Sequence, residues 1–329
     1  MSAMAQPRDG KMRAIVQLRY GSADGLELRE IERPPVGDDR VLVRVRAAAV
    51  NASDWHLLRR LPHLIAKVLG APRSRVRGSD LAGEVVAVGK DVTRFAPGDE
   101  VFGAGIGSFA EYATAFEDRL APKPRNLTFE QAAALPVAGC TALQGLRDTG
   151  RVAAGQRVLI YGAGGGVGTF AVQIAKALGA SVTAVTSTGN VELMRSIGAD
   201  EVIDYLQEDF TQRGPGHEVV FDLGANRSLA DCERALTPDG KLVLAGAPRG
   251  LWASLARLAT TRMRSRAGSR RASFLARVRH EDLVVLKELA EDGKLVPVID
   301  RECSLAEVPD AIRYLGTGRA RGKVVVRVG

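Results

Sequence analysis

The chain has 329 residues, enough for two domains with separate cores, and its 46% hydrophobic and 26% charged residues are the proportions of a globular protein. No apolar run reaches the roughly eighteen residues of a spanning helix, and three scattered cysteines (Cys140, Cys232, Cys303) argue against a disulfide framework or a structural zinc site. The formal charge of +8 is local: Leu251–His280 holds eight arginines and no acid, so the rest is neutral, and no nucleic-acid motif accompanies it.

The opening Met-Ser-Ala-Met-Ala-Gln-Pro-Arg-Asp-Gly lacks the apolar core of a signal peptide, and a cytoplasmic location is expected. The first hundred residues are β-rich. Alternation and β-branched content predict strands at Met12–Leu18, Leu26–Ile31, Arg40–Ala48 and Leu81–Val88, and Pro97-Gly98-Asp99 turns into Glu100–Phe102. From Thr128 the period becomes helical. Thr128 caps a helix through Ala134, with Gln131 completing a capping box, and a second helix is predicted over Thr141–Leu146. Strands then alternate with helices at Val158–Tyr161, Ser181–Thr186, Glu201–Asp204, Val219–Asp222 and Lys241–Ala245, the sequence of a doubly wound parallel sheet. A helix at Asp282–Glu291, a strand at Leu295–Asp300, a helix near Leu305–Leu315 and a closing strand at Lys323–Val328 complete the chain.

The most informative stretch is Arg157-Val-Leu-Ile-Tyr-Gly-Ala-Gly-Gly-Gly-Val-Gly168. A strand enters a glycine cluster (Gly162, Gly164, Gly165, Gly166 and Gly168, with Val167), an amphipathic helix leaves it, and a second strand follows. Such a loop turns tightly, lets a pyrophosphate approach, and offers it the unpaired N–H groups of a helix N-terminus. A dinucleotide fold that prefers NAD places an acid about twenty residues further on. Here that position falls in Thr186-Ser-Thr-Gly-Asn190, which holds none. Ser187, Thr188 and Asn190 can donate to a 2′-phosphate and Arg195 can add charge, with Glu192 expected to point away. The other reading is a polar turn capping the helix Val191–Ile197. NADPH is the expected cofactor.

Further segments stand in order along the chain: Ala49-Val-Asn-Ala-Ser-Asp54, Gly78-Ser-Asp-Leu-Ala-Gly-Glu-Val-Val-Ala-Val-Gly89, Phe95–Gly103, Gly107–Tyr112, Leu135–Gly145, the glycine loop, Gly198–Tyr205 and Gly322-Lys-Val-Val-Val326. Together they resemble the medium-chain dehydrogenase/reductases, specifically their zinc-independent quinone oxidoreductase (zeta-crystallin-type) branch. The resemblance implies an α/β protein: a GroES-like β-barrel catalytic domain (1–125 and 280–329) and a Rossmann doubly wound parallel-sheet nucleotide-binding domain (126–279). The cofactor lies in the cleft between them, and a homodimer is implied.

Zinc-dependent members of that family carry Cys where this chain has Asn51, His-Glu where it has Ser79-Asp80, and a third ligand near Val137. A lone carboxylate does not make a catalytic zinc site, so no metal is expected. Without a metal, the chemistry suits quinones and α,β-unsaturated carbonyls, which accept hydride directly and leave an oxyanion needing hydrogen bonds and a proton. His56 stands where the family has a Tyr near the substrate; it is either the general acid or a polar residue at a helix start. Asn51 is expected to bind the nicotinamide ribose or orient substrate, and Asp54 to cap a helix. Thr141 resembles a threonine near the nicotinamide or is a helix cap, and Tyr205 a tyrosine beside the 2′-phosphate or a core aromatic. Strand ends at Leu223, Gly224, Gly246 and Ala247 complete the cofactor site. Lys323 has a family counterpart or is a solvated lysine.

The rival reading is an NADPH-binding sensor or adaptor of the same fold with little turnover. Within Leu251–His280, apolar residues at 251, 255, 258 and 259 share a helix face followed by arginines. The segment either covers the cleft or rests weakly on an anionic membrane surface.

Overall fold

The computed structural model describes residues 10–19, 21–60, 75–224, 226–245 and 270–329, without the side chains of 56, 57, 59 and 60. Strands β1 (Lys11–Gln17) and β2 (Leu26–Glu32) pair as an antiparallel ribbon. They precede β3 (Arg40–Val50), helix α1 (Ala52–Arg60), β4 (Asp80–Val88), β5 (Glu100–Ala104), β6 (Tyr112–Phe116) and β7 (Leu120–Pro122). Helices α2 (Phe129–Ala133) and α3 (Pro136–Leu143) follow, and α3 runs into a π-helical stretch, Gln144–Gly150.

Next come β8 (Arg157–Tyr161), α4 (Gly166–Ala177), β9 (Ser181–Thr186), α5 (Val191–Ser196), β10 (Glu201–Asp204), β11 (His217–Asp222), α6 (Leu229–Arg234), β12 (Leu236–Leu244) and β13 (Arg271–Ser273). Helix α7 (His280–Glu291), β14 (Ile299–Ser304), α8 (Val308–Gly316) and β15 (Lys323–Arg327) finish the chain.

Two larger sheets result. One has seven strands in the order β14-β15-β3-β4-β5-β7, with β6 on β3. The other is six-stranded and wholly parallel, in the order β10-β9-β8-β11-β12-β13. Its order reverses between β8 and β11, the switch point beyond which open α/β sheets bind ligands. Strand β8 reads Arg-Val-Leu-Ile-Tyr and is buried from Val158 to Tyr161, as a central strand with both faces covered must be. One core cluster runs from that sheet through α2, α3, α4 and α7 into Ala47, Ala49 and Val325 of the other, so the two sheets share apolar packing. Among the described residues no helix is long and apolar enough to cross a membrane.

Thr128 and Gln131 form the expected capping box. Two boundaries differ clearly from expectation. The helix predicted at Thr141 begins five residues earlier, where Pro136 presets the helical φ of the first turn. The strand predicted at Leu295 starts at Ile299, because Pro297 has no N–H for a ladder. Of the basic segment, Leu251–Ser269 lies outside the described residues. Arg270 donates to the Gly240 and Thr237 carbonyls and Arg271 pairs with Glu233, so both serve the edge of the parallel sheet rather than a free surface.

Candidate active site

A cleft of about 980 Å³ opens at the switch point. The carboxyl ends of three adjacent strands reach it: Tyr161, the last residue of β8, with Gly162; Thr186, the last of β9, with Ser187; and Leu223 and Gly224 just after β11. Gly164, Gly165, Asn190, Tyr205 and Asn226 add to its wall, and Gly318–Arg321 closes the far side.

The glycines are required by close backbone approach. Gly162 has φ +88, and a Cβ there would lie 2.9 Å from the Gly224 nitrogen. At Gly164 a Cβ would come within 2.4 Å of Asn190 Nδ2. Gly168 packs under the turn, where a Cβ would meet the Gly162 and Ala163 carbonyls at 2.4 Å; its place is helix seating, not the cleft wall. Helix α4 starts after Gly165 with no side-chain cap, so its first N–H groups remain available to an anion. Asn190 is 8% exposed, and its Oδ1 has no hydrogen-bond partner among the described residues, a buried acceptor on a wall built for a ligand with donors. These features fit a nicotinamide dinucleotide.

The turn after β9, where the adenosine phosphate is expected, differs in part from expectation. Arg195 is not directed at the cleft: it pairs with Glu192 at 2.5 Å on the exposed face of α5. Thr188 Oγ1 donates to Asp204 at 2.5 Å, which holds the turn rather than a ligand. Asn190 makes no helix cap, and Tyr205 is 44% exposed on the cleft wall instead of packed in the core. The cationic charge comes from Arg319 and Arg321, which the sequence reading missed. Arg321 lies across Gly189, where a Cβ would stand 2.7 Å from its guanidinium. Tyr161 donates to Asn226, and burial pushes its phenol up to about 12, so it stays a donor at neutral pH.

The C-terminal strand locks onto the glycine loop. Gly322 N donates to the Gly164 carbonyl at 3.0 Å, and Gly165 bridges Gly322. A Cβ at Gly166 would touch the Lys323 side chain at 3.0 Å. Because β15 pairs antiparallel with β3, Val324 faces Val50 and Lys323 comes beside Asn51. There a buried polar cluster forms. Lys323 Nζ donates to Asn51 Oδ1 at 2.6 Å and lies 3.3 Å from Asp80 Oδ2, and Asn51 Nδ2 donates to that same oxygen at 2.9 Å. The Val137 N–H donates to Asp80 Oδ1 at 3.1 Å. Asp54 accepts from the Asn51 N–H at 2.8 Å, capping α1 from within its first turn. Burial pushes Asp54 up to about 7 and raises Asp80 too, against the pull of Lys323.

This cluster reassigns three expected residues. Asn51 has its oxygen and one amide proton engaged by Lys323 and Asp80. Lys323 is 3% exposed, not solvated. Thr141 neither caps a helix nor reaches the cleft wall, since its hydroxyl bonds back to the Val137 carbonyl at 2.6 Å. Val167 and Gly166 belong to the first turn of α4 behind the wall. His56 lies on α1, its side chain outside the described residues, and Gly246 and Ala247 are outside them altogether.

A family model described as a zinc-binding dehydrogenase matches residues 197–326, and an alcohol dehydrogenase GroES-like domain matches 37–125. A 2-methylene-furan-3-one reductase of Solanum lycopersicum is 38% identical over 96% of this chain and 79% of its own. An Arabidopsis thaliana NADPH-dependent alkenal/one oxidoreductase is 37% identical over the same shares. The solved quinone oxidoreductase of Coxiella burnetii superposes with TM-score 0.84 and 31% identity over 97% of this chain and all of that one. The chain belongs to the medium-chain dehydrogenase/reductase family. It falls in the quinone oxidoreductase-like branch, with the GroES-like and Rossmann-like parts of that family. The zinc ion that one family model's description implies does not fit here. Asn51, Ser79, Asp80 and Val137 offer one carboxylate, and an ammonium already holds its oxygen.

Proposed function

We propose that this medium-chain reductase uses NADPH to reduce a quinone or an α,β-unsaturated carbonyl compound without a metal. Residues 1–125 and 280–329 form the substrate-side domain in this reading, and 126–279 the cofactor domain. The observation that carries it is the pairing, in one cleft, of an acid-free Thr186–Asn190 turn with the Arg319 and Arg321 guanidiniums. Names of the tomato, Arabidopsis and Coxiella relatives point to the same substrate classes.

When bound, the reduced nicotinamide supplies the hydride. The glycine loop and the α4 N-terminus would hold the pyrophosphate. Ser187, Tyr205 and the two arginines would meet the adenosine phosphate, where a guanidinium gives bidentate hydrogen bonds, and Asn190 Oδ1 would accept from a ribose hydroxyl. Lys323, fixed by Asn51 and Asp80, sets a positive charge at the junction of the two sheets without competing water. His56, carried on α1, is the residue we assign to protonation of the product. Steady-state oxidation of NADPH and NADH, with a simple quinone and with an enone, in excess chelator, tests the proposal. Chelator-insensitive turnover that prefers NADPH is expected; absence of turnover with both acceptors would leave only a cofactor-binding protein.

A further inference from the structure

Behind the far wall of the cofactor cleft lies a second concavity of about 380 Å³, lined by Asp300, Arg301, Tyr314, Thr317, Arg319 and Arg321. Three guanidiniums face one carboxylate there. That carboxylate is engaged: Asp300 Oδ2 accepts from the Tyr314 hydroxyl at 2.7 Å. The pinned ring supports Arg301, whose guanidinium carbon stands 3.6 Å from its centroid. Thr317 Oγ1 donates to the Tyr314 carbonyl at 2.7 Å and accepts from the Arg319 N–H at 3.3 Å, which shapes the turn that presents Arg319. None of the three arginines forms an ion pair with an acid among the described residues.

A preformed guanidinium group with excess positive charge recognises a tetrahedral oxyanion, because each planar fork matches two of its oxygens. We propose that Arg301, Arg319, Arg321 and Tyr314 form an anion subsite for a phosphate dianion, separate from the cofactor cleft but sharing two arginines with it. Arg301, Tyr314 and Asp300 line only the outer concavity, whereas Arg319 and Arg321 line both. Free phosphate therefore opposes NADPH, a coupling that rests on the reading that Arg319 and Arg321 meet the adenosine phosphate.

The probe is inorganic phosphate at low concentration, against chloride at matched ionic strength. Cofactor-free protein should melt at a higher Tm in phosphate, and the exposed-site variant Arg301→Gln should lose that response. General exclusion of phosphate from protein surfaces acts on both proteins alike. The wild-type KM for NADPH should rise about two- to fivefold in phosphate, as for solvent-exposed charge pairs. In Arg301→Gln it should not rise, while the phosphate-free KM matches wild type. A wild type that melts alike in both salts, or an Arg301→Gln protein that responds like wild type, overturns the subsite. A phosphate-specific melting shift with an unchanged KM for NADPH upholds the subsite and overturns the adenosine-phosphate role of the shared arginines. A parallel arm with glycerol phosphate separates sources: a response to it equal to that of inorganic phosphate assigns the subsite to phosphate monoesters as well.

Discussion

The Lys323 ammonium lies 2.6 Å from the Asn51 amide oxygen, across the pairing of β15 with β3 and 272 residues away in sequence. With Asp80 it makes a buried ion pair whose remaining oxygens are satisfied by Asn51 and the Val137 N–H. Removing one partner strands the other. Lys323→Met should therefore destabilise the protein by about 3–5 kcal/mol, and Asp80→Asn in the same chain should recover most of the loss. Urea unfolding of the two single variants and the double variant measures this. Equal stability of wild type and Lys323→Met would mean that the pair does not form.

Asp54 gives a pH dependence of defined sign. Burial raises its carboxyl from the ordinary 3.8 to about 7, so the folded state holds a proton that the unfolded state has released in between. Its stabilising contribution is full below about 3.8 and is lost as pH rises through about 7. Asp54→Asn keeps an oxygen for the Asn51 N–H and removes the charge. Its Tm should exceed that of wild type at about pH 8 and approach it at about pH 4. A Tm difference independent of pH would place the titration elsewhere.

Cofactor choice rests on the turn after β9. Ser187→Asp puts a carboxylate on the cleft wall opposite Arg321 and should raise the KM for NADPH roughly tenfold, while the KM for NADH holds or falls. If both values move together, the 2′-phosphate does not sit there.

His56→Phe should lower kcat with an enone by about a hundredfold, with little change in the KM for NADPH. An unchanged rate and pH profile would return His56 to a structural place on α1 and leave water as the proton source.

What could be read in advance follows from how local each signal is. Ser181–Thr186 and Glu201–Asp204 match the observed strands to the residue, since β-branched runs between turn residues carry their own boundaries. The glycine loop was legible for the same reason. Strands β6 and β7 were not: Tyr112–Phe116 is rich in alanine, and Leu120–Pro122 is three residues long, so neither alternates clearly. The π-helical stretch after α3 needs a bond pattern that no residue spacing announces. Arg319 and Arg321 stand more than 100 residues beyond Ser187, and the Gly322–Gly164 hydrogen bond brings their loop to the cleft. Lys323 read equally well as a solvated lysine, because its burial depends on Asp80, far away in the chain.

The proposed hydride transfer from NADPH to an activated double bond or quinone can be followed with an isotope. NADPH carrying deuterium at the reactive carbon of its nicotinamide ring is incubated with an α,β-unsaturated ketone and the metal-free protein. The product should be a saturated ketone with one deuterium, on the carbon β to the carbonyl, and a hydrogen from solvent on the α carbon. Product without deuterium at the β carbon, or deuterium transfer that appears only when zinc is restored, would contradict it.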